Sequence, residues 1–134
     1  MTTLFVKQAT TAMLAGLFMA TAVSTVLADV KDYEFRLVKS EIKMGDAIID
    51  VRLLNNKTQK AVPDAVIFAR RLDMAPEGMP TMTAELEPLP LDEPGIYRFR
   101  TNLTMEGGWQ LSLAAKVQGE SGTLQARLGL KAQN

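Results

Sequence analysis

Apolar and polar side chains alternate with a period of two through most of the chain beyond residue 30. Tyr33, Phe35 and Leu37 share one phase, with Glu34 and Arg36 on the other. Ile49, Val51 and Leu53 alternate with Asp50 and Arg52 in the same way. Val66 and Phe68 open a third segment that runs to about Leu72. Met82, Ala84 and Leu86 alternate with Thr83, Glu85 and Glu87, which puts Met82 on the inward phase. Tyr97, Phe99, Thr101 and Leu103 follow, then Trp109, Leu111, Leu113, Ala115 and Val117, then Leu124, Ala126, Leu128 and Leu130. Each pattern is that of a strand with one buried and one wet face. No window past residue 28 sustains a helical period.

The breaks between these segments carry turn chemistry. Asn55-Asn56-Lys57-Thr58 is a polar turn, and Gly107-Gly108 and the stretch from Gly119 to Gly122 are others. In Asp92-Glu93-Pro94-Gly95, proline fixes one φ and glycine permits the next. Pro88 and Pro90 stop the strand that begins near Met82, since proline cannot donate to a ladder. About seven short strands with turns at this spacing predict an all-β fold, an immunoglobulin-like antiparallel β-sandwich. Trp109 is the largest candidate for its core. Tyr97, two residues after Gly95, is placed to be a corner tyrosine whose hydroxyl pins a loop.

The first 28 residues break the pattern. Lys7 is their one charge, an apolar run spans Ala12 to Val23, and Val26 and Ala28 suit the positions a signal peptidase reads. The run is short and spotted with Thr and Ser for a membrane span. A signal peptide at 1–28 is expected, with one domain at 29–134. An uncleaved N-terminal anchor is the other reading, and it leaves the domain on the same side of the membrane.

Composition narrows the chemistry. Lysine plus arginine equals aspartate plus glutamate at 15 each. With no basic block, nucleic acid is not an expected partner. Cysteine and histidine are both absent. That removes the nucleophile–base pairs of the common hydrolases and the commonest zinc ligands, so no enzyme and no small-molecule substrate is expected. Glu85 and Glu87, with Asp92 and Glu93, read as a solvated face, with Arg70, Arg71, Arg98 and Arg100 as their cross-strand partners.

What remains is sulfur. Met74, Met79 and Met82 are spaced M-x4-M-x2-M around Pro76 and Gly78, which can fold the segment back on itself. Met105 is a fourth donor if its loop shares the same end of the sandwich. Thioethers favour Cu(I) or Ag(I) and suit neither zinc nor magnesium. The same residues also suit core filling, with Met44 and Met105 as caps, or a flexible apolar contact surface.

Three pieces in order resemble the YtkA-like/FixH-like periplasmic domain family: Met79-Pro80-x-Met82, Pro94-Gly95-x-Tyr97, and Leu103-x-Met105-x-Gly107-x-Trp109-x-Leu111. The resemblance spans roughly residues 34–130. It implies an immunoglobulin-like sandwich facing the periplasm, found alone, with heavy-metal efflux systems, or in assembly of copper-containing oxidases. Many relatives carry a histidine near the Met-Pro loop and this sequence has none, which leaves thioether-only Cu(I) binding. The expected function is a periplasmic copper- or silver-handling protein, accessory to an efflux or membrane partner. The alternative is a metal-free adaptor that docks on such a partner through the methionine loop.

Overall fold

The computed structural model describes residues 30–134; the export-signal expectation at 1–28 lies outside them. A short 3₁₀ turn, Val30–Asp32, leads into ten strands: β1 (Tyr33–Leu37), β2 (Glu41–Lys43), β3 (Gly45–Asn55), β4 (Lys60–Ala61), β5 (Val66–Met74), β6 (Met79–Ala84), β7 (Glu87–Leu89), β8 (Ile96–Leu103), β9 (Gly107–Lys116) and β10 (Leu124–Gln133). One sheet has the order β1-β3-β8-β7, with β4 also on β3; the other has the order β2-β10-β9-β5-β6. All pairings are antiparallel except β2 with β10. This is the β-sandwich of immunoglobulin-like type that the alternation predicts.

The seven strands read from the sequence are all present. β2, β4 and β7 are additional and have three residues or fewer, too short to show alternation. The segment expected as one strand from Met82 to Glu87 is two. The chain leaves the second sheet after Ala84 and enters the first as β7, where Glu87, Pro88 and Leu89 lie opposite Arg100, Phe99 and Arg98. Pro88 is tolerated there because β7 is an edge strand. Glu85 and Glu87 therefore do not share a strand.

The inward phases meet between the sheets. Ile49, Val51 and Leu53 of β3 and Phe99 and Leu103 of β8 face Leu72 and Met74 of β5 and Trp109, Leu111 and Ala115 of β9, all buried. Phe35 and Tyr97 touch edge to face, with ring centroids 6.3 Å apart. Arg98 grips Asp50 across β3 and β8 through Nε at 2.7 Å and Nη2 at 3.0 Å, and Arg100 meets Glu87 at 3.1 Å. These pairs are solvent-accessible and align strands more than they stabilise them.

Two turns follow the sequence closely. Glu93-Pro94-Gly95-Ile96 closes with the Ile96 amide donating to the Glu93 carbonyl at 3.1 Å, and Gly95 takes φ 84°. That is a turn with proline at its second position and glycine where φ must be positive. Tyr97 then does what a corner tyrosine does. Its hydroxyl donates to the Val62 carbonyl at 2.7 Å and accepts from the Ala65 amide at 3.0 Å, pinning the loop that leads into β5. Burial holds its ionisation above the usual tyrosine range, so it stays a neutral donor and acceptor. Tyr97→Phe leaves both main-chain groups without that partner and is expected to cost about 1–3 kcal/mol. Urea unfolding should show the midpoint lowered with the slope unchanged.

Candidate functional site: a methionine rim

The turn between β5 and β6 is built by its polar residues. Asp73 is buried, yet its Oδ1 accepts from the Ala75 amide at 2.9 Å and its Oδ2 from Arg71 Nε at 2.8 Å. Burial alone would raise this carboxyl. The Ala75 amide and the Arg71 guanidinium outweigh it and hold Asp73 below the ordinary aspartate range. The Ala75 contact starts a single 3₁₀ turn, Ala75–Glu77, with Pro76 inside its first turn and Gly78 ending it in the left-handed region. Arg71 Nη2 also donates to the Pro80 carbonyl at 2.6 Å, tying the far side of the turn to β5.

The turn is seated on the start of β9. Glu77 Oε2 accepts from the Gly108 amide at 2.7 Å. Gly107 has φ 124°, and a Cβ there would lie 3.0 Å from Glu77 Oε2; one on Gly108 would lie 3.0 Å from Pro76 Cβ. The glycine pair, read from sequence as a turn, instead opens β9 opposite Ala132 and Lys131, and it makes room for the methionine turn. Beside it, the indole Nε1 of Trp109 donates to the Met105 carbonyl at 3.0 Å and fixes the β8–β9 loop.

These contacts put the predicted sulfur residues at one end of the sandwich but not in one environment. Met74 and Met79 are register partners across β5 and β6. Met74 is fully buried in the core, so its sulfur is not at the surface. Met79 is partly buried against that core. Met82 was expected inward and is instead 36% exposed. The reason is the register: Asp73 pairs with Thr83 and Met74 with Met79, so Pro80, Thr81 and Met82 have no partners and bulge out of the ladder. Met105 is 37% exposed in the adjoining loop.

Met44, read from sequence as a core cap, is also 37% exposed at this end. Its amide donates to the Gln133 carbonyl at 2.7 Å, and Gly45 after it pairs with Leu103. That brings the starts of β3 and β9 and the ends of β8 and β10 together. All five methionines among the described residues lie at this end. No sequence spacing links Met44 to Met79; only strand pairing does. Among the described residues no group of three or more Asp, Glu, His or Cys side chains could hold a metal. The rim therefore offers thioethers, the Glu77 carboxylate and main-chain carbonyls.

A family model described as YtkA-like matches residues 27–114, from before β1 to within β9. The chain belongs to the YtkA-like family. No curated protein matches it. Among solved structures it is similar to the Lin-41 filamin domain, at 17% identity over 82% of this chain and 98% of that one, with TM-score 0.48. It is also similar to the ZirS C-terminal domain, at 11% identity over 92% of this chain and 87% of that one, with TM-score 0.43. Both are remote, and the fold assignment rests on the strand order and the tyrosine corner.

The depressed Asp73 ionisation has a consequence for this YtkA-like domain. A carboxyl with a lowered folded-state pKa contributes stability above its unfolded value, near 4, and loses it as pH falls through the folded one. Thermal melts from pH 6 down to pH 2 should show the melting temperature falling over the acid range, and Asp73→Asn should flatten part of that fall.

Proposed function

We propose that this protein is a soft-metal binder of the bacterial periplasm that holds Cu(I) or Ag(I) weakly at the methionine rim and passes it to a membrane or efflux partner by ligand exchange. The observation that carries the reading is the gathering of all five described methionines at one end, with Met44, Met82 and Met105 exposed and Met79 half-covered beside them. An exposed thioether is apolar surface left in water, which packing alone does not favour. The donor set is Met79, Met82 and Met105; Met74 backs Met79 from within the core, and Met44 lies beside β10, toward the other edge of that sheet.

Thioethers are neutral, so binding releases no proton and selects soft monovalent ions over zinc or magnesium. The absence of cysteine and histidine from the sequence keeps such a site weak, as suits a carrier that must give its ion up. Placement in the periplasm rests on the signal-like pattern of residues 1–28. The binding role, with no catalysis, rests on a rim whose side chains offer no nucleophile–base pair.

The same rim favours a preformed site over a flexible docking loop. Asp73, Arg71 and Glu77 each fix the turn by a hydrogen bond of 2.9 Å or less. An adaptor that moulds itself to partners would leave this segment untied.

The test is titration with Cu(I) under reducing conditions against a chromophoric Cu(I) chelator. The parent protein should withdraw Cu(I) from the chelator, and the Met79→Leu/Met82→Leu double variant should lose at least about tenfold in affinity, roughly 1.4 kcal/mol. Leucine keeps the volume and removes the sulfur, so the fold should be little affected. Equal binding by parent and variant would remove the rim from the account.

A further inference from the structure

β5 is paired along one side for most of its length and along the other for only a third. β9 accompanies it from Val66 to Asp73, whereas β6 meets it only at Leu72, Asp73 and Met74. The chain then leaves for the other sheet, so Val66–Arg71 form an open sheet edge at the end of β5 away from the methionine rim. Val66 and Phe68 on that edge are 57% and 54% exposed, the highest values among the large apolar residues. The edge strand β7 of the other sheet runs opposite. Between the two edges lies a groove of about 200 Å³ whose lining includes Ile67, Leu89, Leu91 and Phe99, with Arg70 among them.

Arg70 shares its strand phase with Leu72 and Met74 and lies opposite Leu113 of β9, but at the uncovered end of the sheet its side chain is exposed. Its Nε donates to the Leu86 carbonyl at the crossover, at 3.1 Å. Among the described residues no carboxylate lies within ion-pair distance of it, although Glu85 flanks the crossover. Its neighbours differ: Arg71 has Asp73, Arg98 has Asp50 and Asp92, and Arg100 has Glu87. The groove therefore combines an unpaired strand edge, apolar walls and a cation with no counter-ion.

We infer that this edge captures an extended segment of a partner protein, one that alternates apolar side chains with a carboxylate and adds as a strand beside Val66–Arg71. Strand addition supplies main-chain hydrogen bonds, and pockets for alternate side chains supply selectivity. A carboxylate on the segment gives Arg70 the charge-assisted partner it lacks. A second copy of this chain fits less well. It would bring its own Arg70 and Arg71 against an edge with no acidic residue, and the bulge between Ile67 and Ala69 twists the edge away from a long sheet-to-sheet join.

The test uses short synthetic peptides of alternating valine and threonine with a central glutamate, or a central lysine, titrated into the isotope-labelled protein and followed by amide chemical shifts. The glutamate peptide should shift Val66–Arg71 and Glu87–Leu89 and bind at least about tenfold more tightly than the lysine peptide. Arg70→Gln, which keeps a donor for the Leu86 carbonyl, should erase that difference, and Phe68→Asp should weaken both peptides, with melting curves confirming that each variant is folded. The inference is overturned if the two peptides bind alike, if neither binds at millimolar concentration, or if the shifts fall on β6 or β2. It is also overturned if sedimentation shows a dimer that Phe68→Asp dissolves, which would assign the edge to self-pairing. None of these readouts depends on copper, so they stand apart from the rim reading.

Discussion

The burial of Trp109 is the constraint on which the rest of this structure depends. The indole is fully enclosed between the sheets, and an enclosed N–H must be satisfied or it costs free energy comparable to a lost hydrogen bond. Its partner is the Met105 carbonyl, four residues back. That single contact fixes the β8–β9 loop and leaves Met105 at the surface. The glycine pair immediately before Trp109 admits Pro76 and Glu77, and the Gly108 amide gives Glu77 its partner. Trp109 and the glycine pair before it thus decide between them where two loops, far apart in sequence, come to rest.

Alternation made the sandwich legible because a strand with one wet face writes its phase directly into the chain. Tyr97 and Pro94-Gly95 were legible for a different reason: their turn chemistry is local. What could not be read is whatever depends on partner register. Met82 carries an inward phase when counted from Ala84 and Leu86, yet three unmatched residues in the β5–β6 ladder lift it outward. The crossover after Ala84 was hidden because Glu85 and Leu86 continue the alternation while the backbone changes sheets. Met44 joined the rim only through its contact with Gln133 at the far end of the chain. The family resemblance is matched by the YtkA-like model over residues 27–114; two of its motifs, Met79-Pro80-x-Met82 and Leu103 to Leu111, sit at this end, and Pro94-Gly95-x-Tyr97 sits at the other.

The arginines show how the two faces of the sandwich are kept apart. Arg71, Arg98 and Arg100 each meet an acid, the buried Asp73 in the case of Arg71 and the more accessible Asp50 and Glu87 in the others. Arg70 alone of the four shares its phase with Leu72 and Met74, and its long stem can cover apolar surface while its Nε closes the gap left by the departing chain. Of the four arginines expected to meet Glu85, Glu87, Asp92 and Glu93, Arg98 pairs with Asp92 and Arg100 with Glu87, whereas Arg71 pairs with Asp73 and Arg70 with the Leu86 carbonyl.

Both surfaces of interest arise where β5 departs from a regular ladder. Its register with β9 shifts between Ile67 and Ala69, and its register with β6 shifts between Asp73 and Met74. Irregularities of this kind re-aim side chains and end pairing, and they recur beside functional sites. Between them, Arg70–Asp73 run in unbroken register against Leu113–Gln110. That regular stretch contains the fully buried Leu72 and Leu111, a close-packed section of sheet that resists deformation. A ligand at the rim and a peptide at the open edge would therefore act on opposite ends of one stiff strand, each without having to remodel the other.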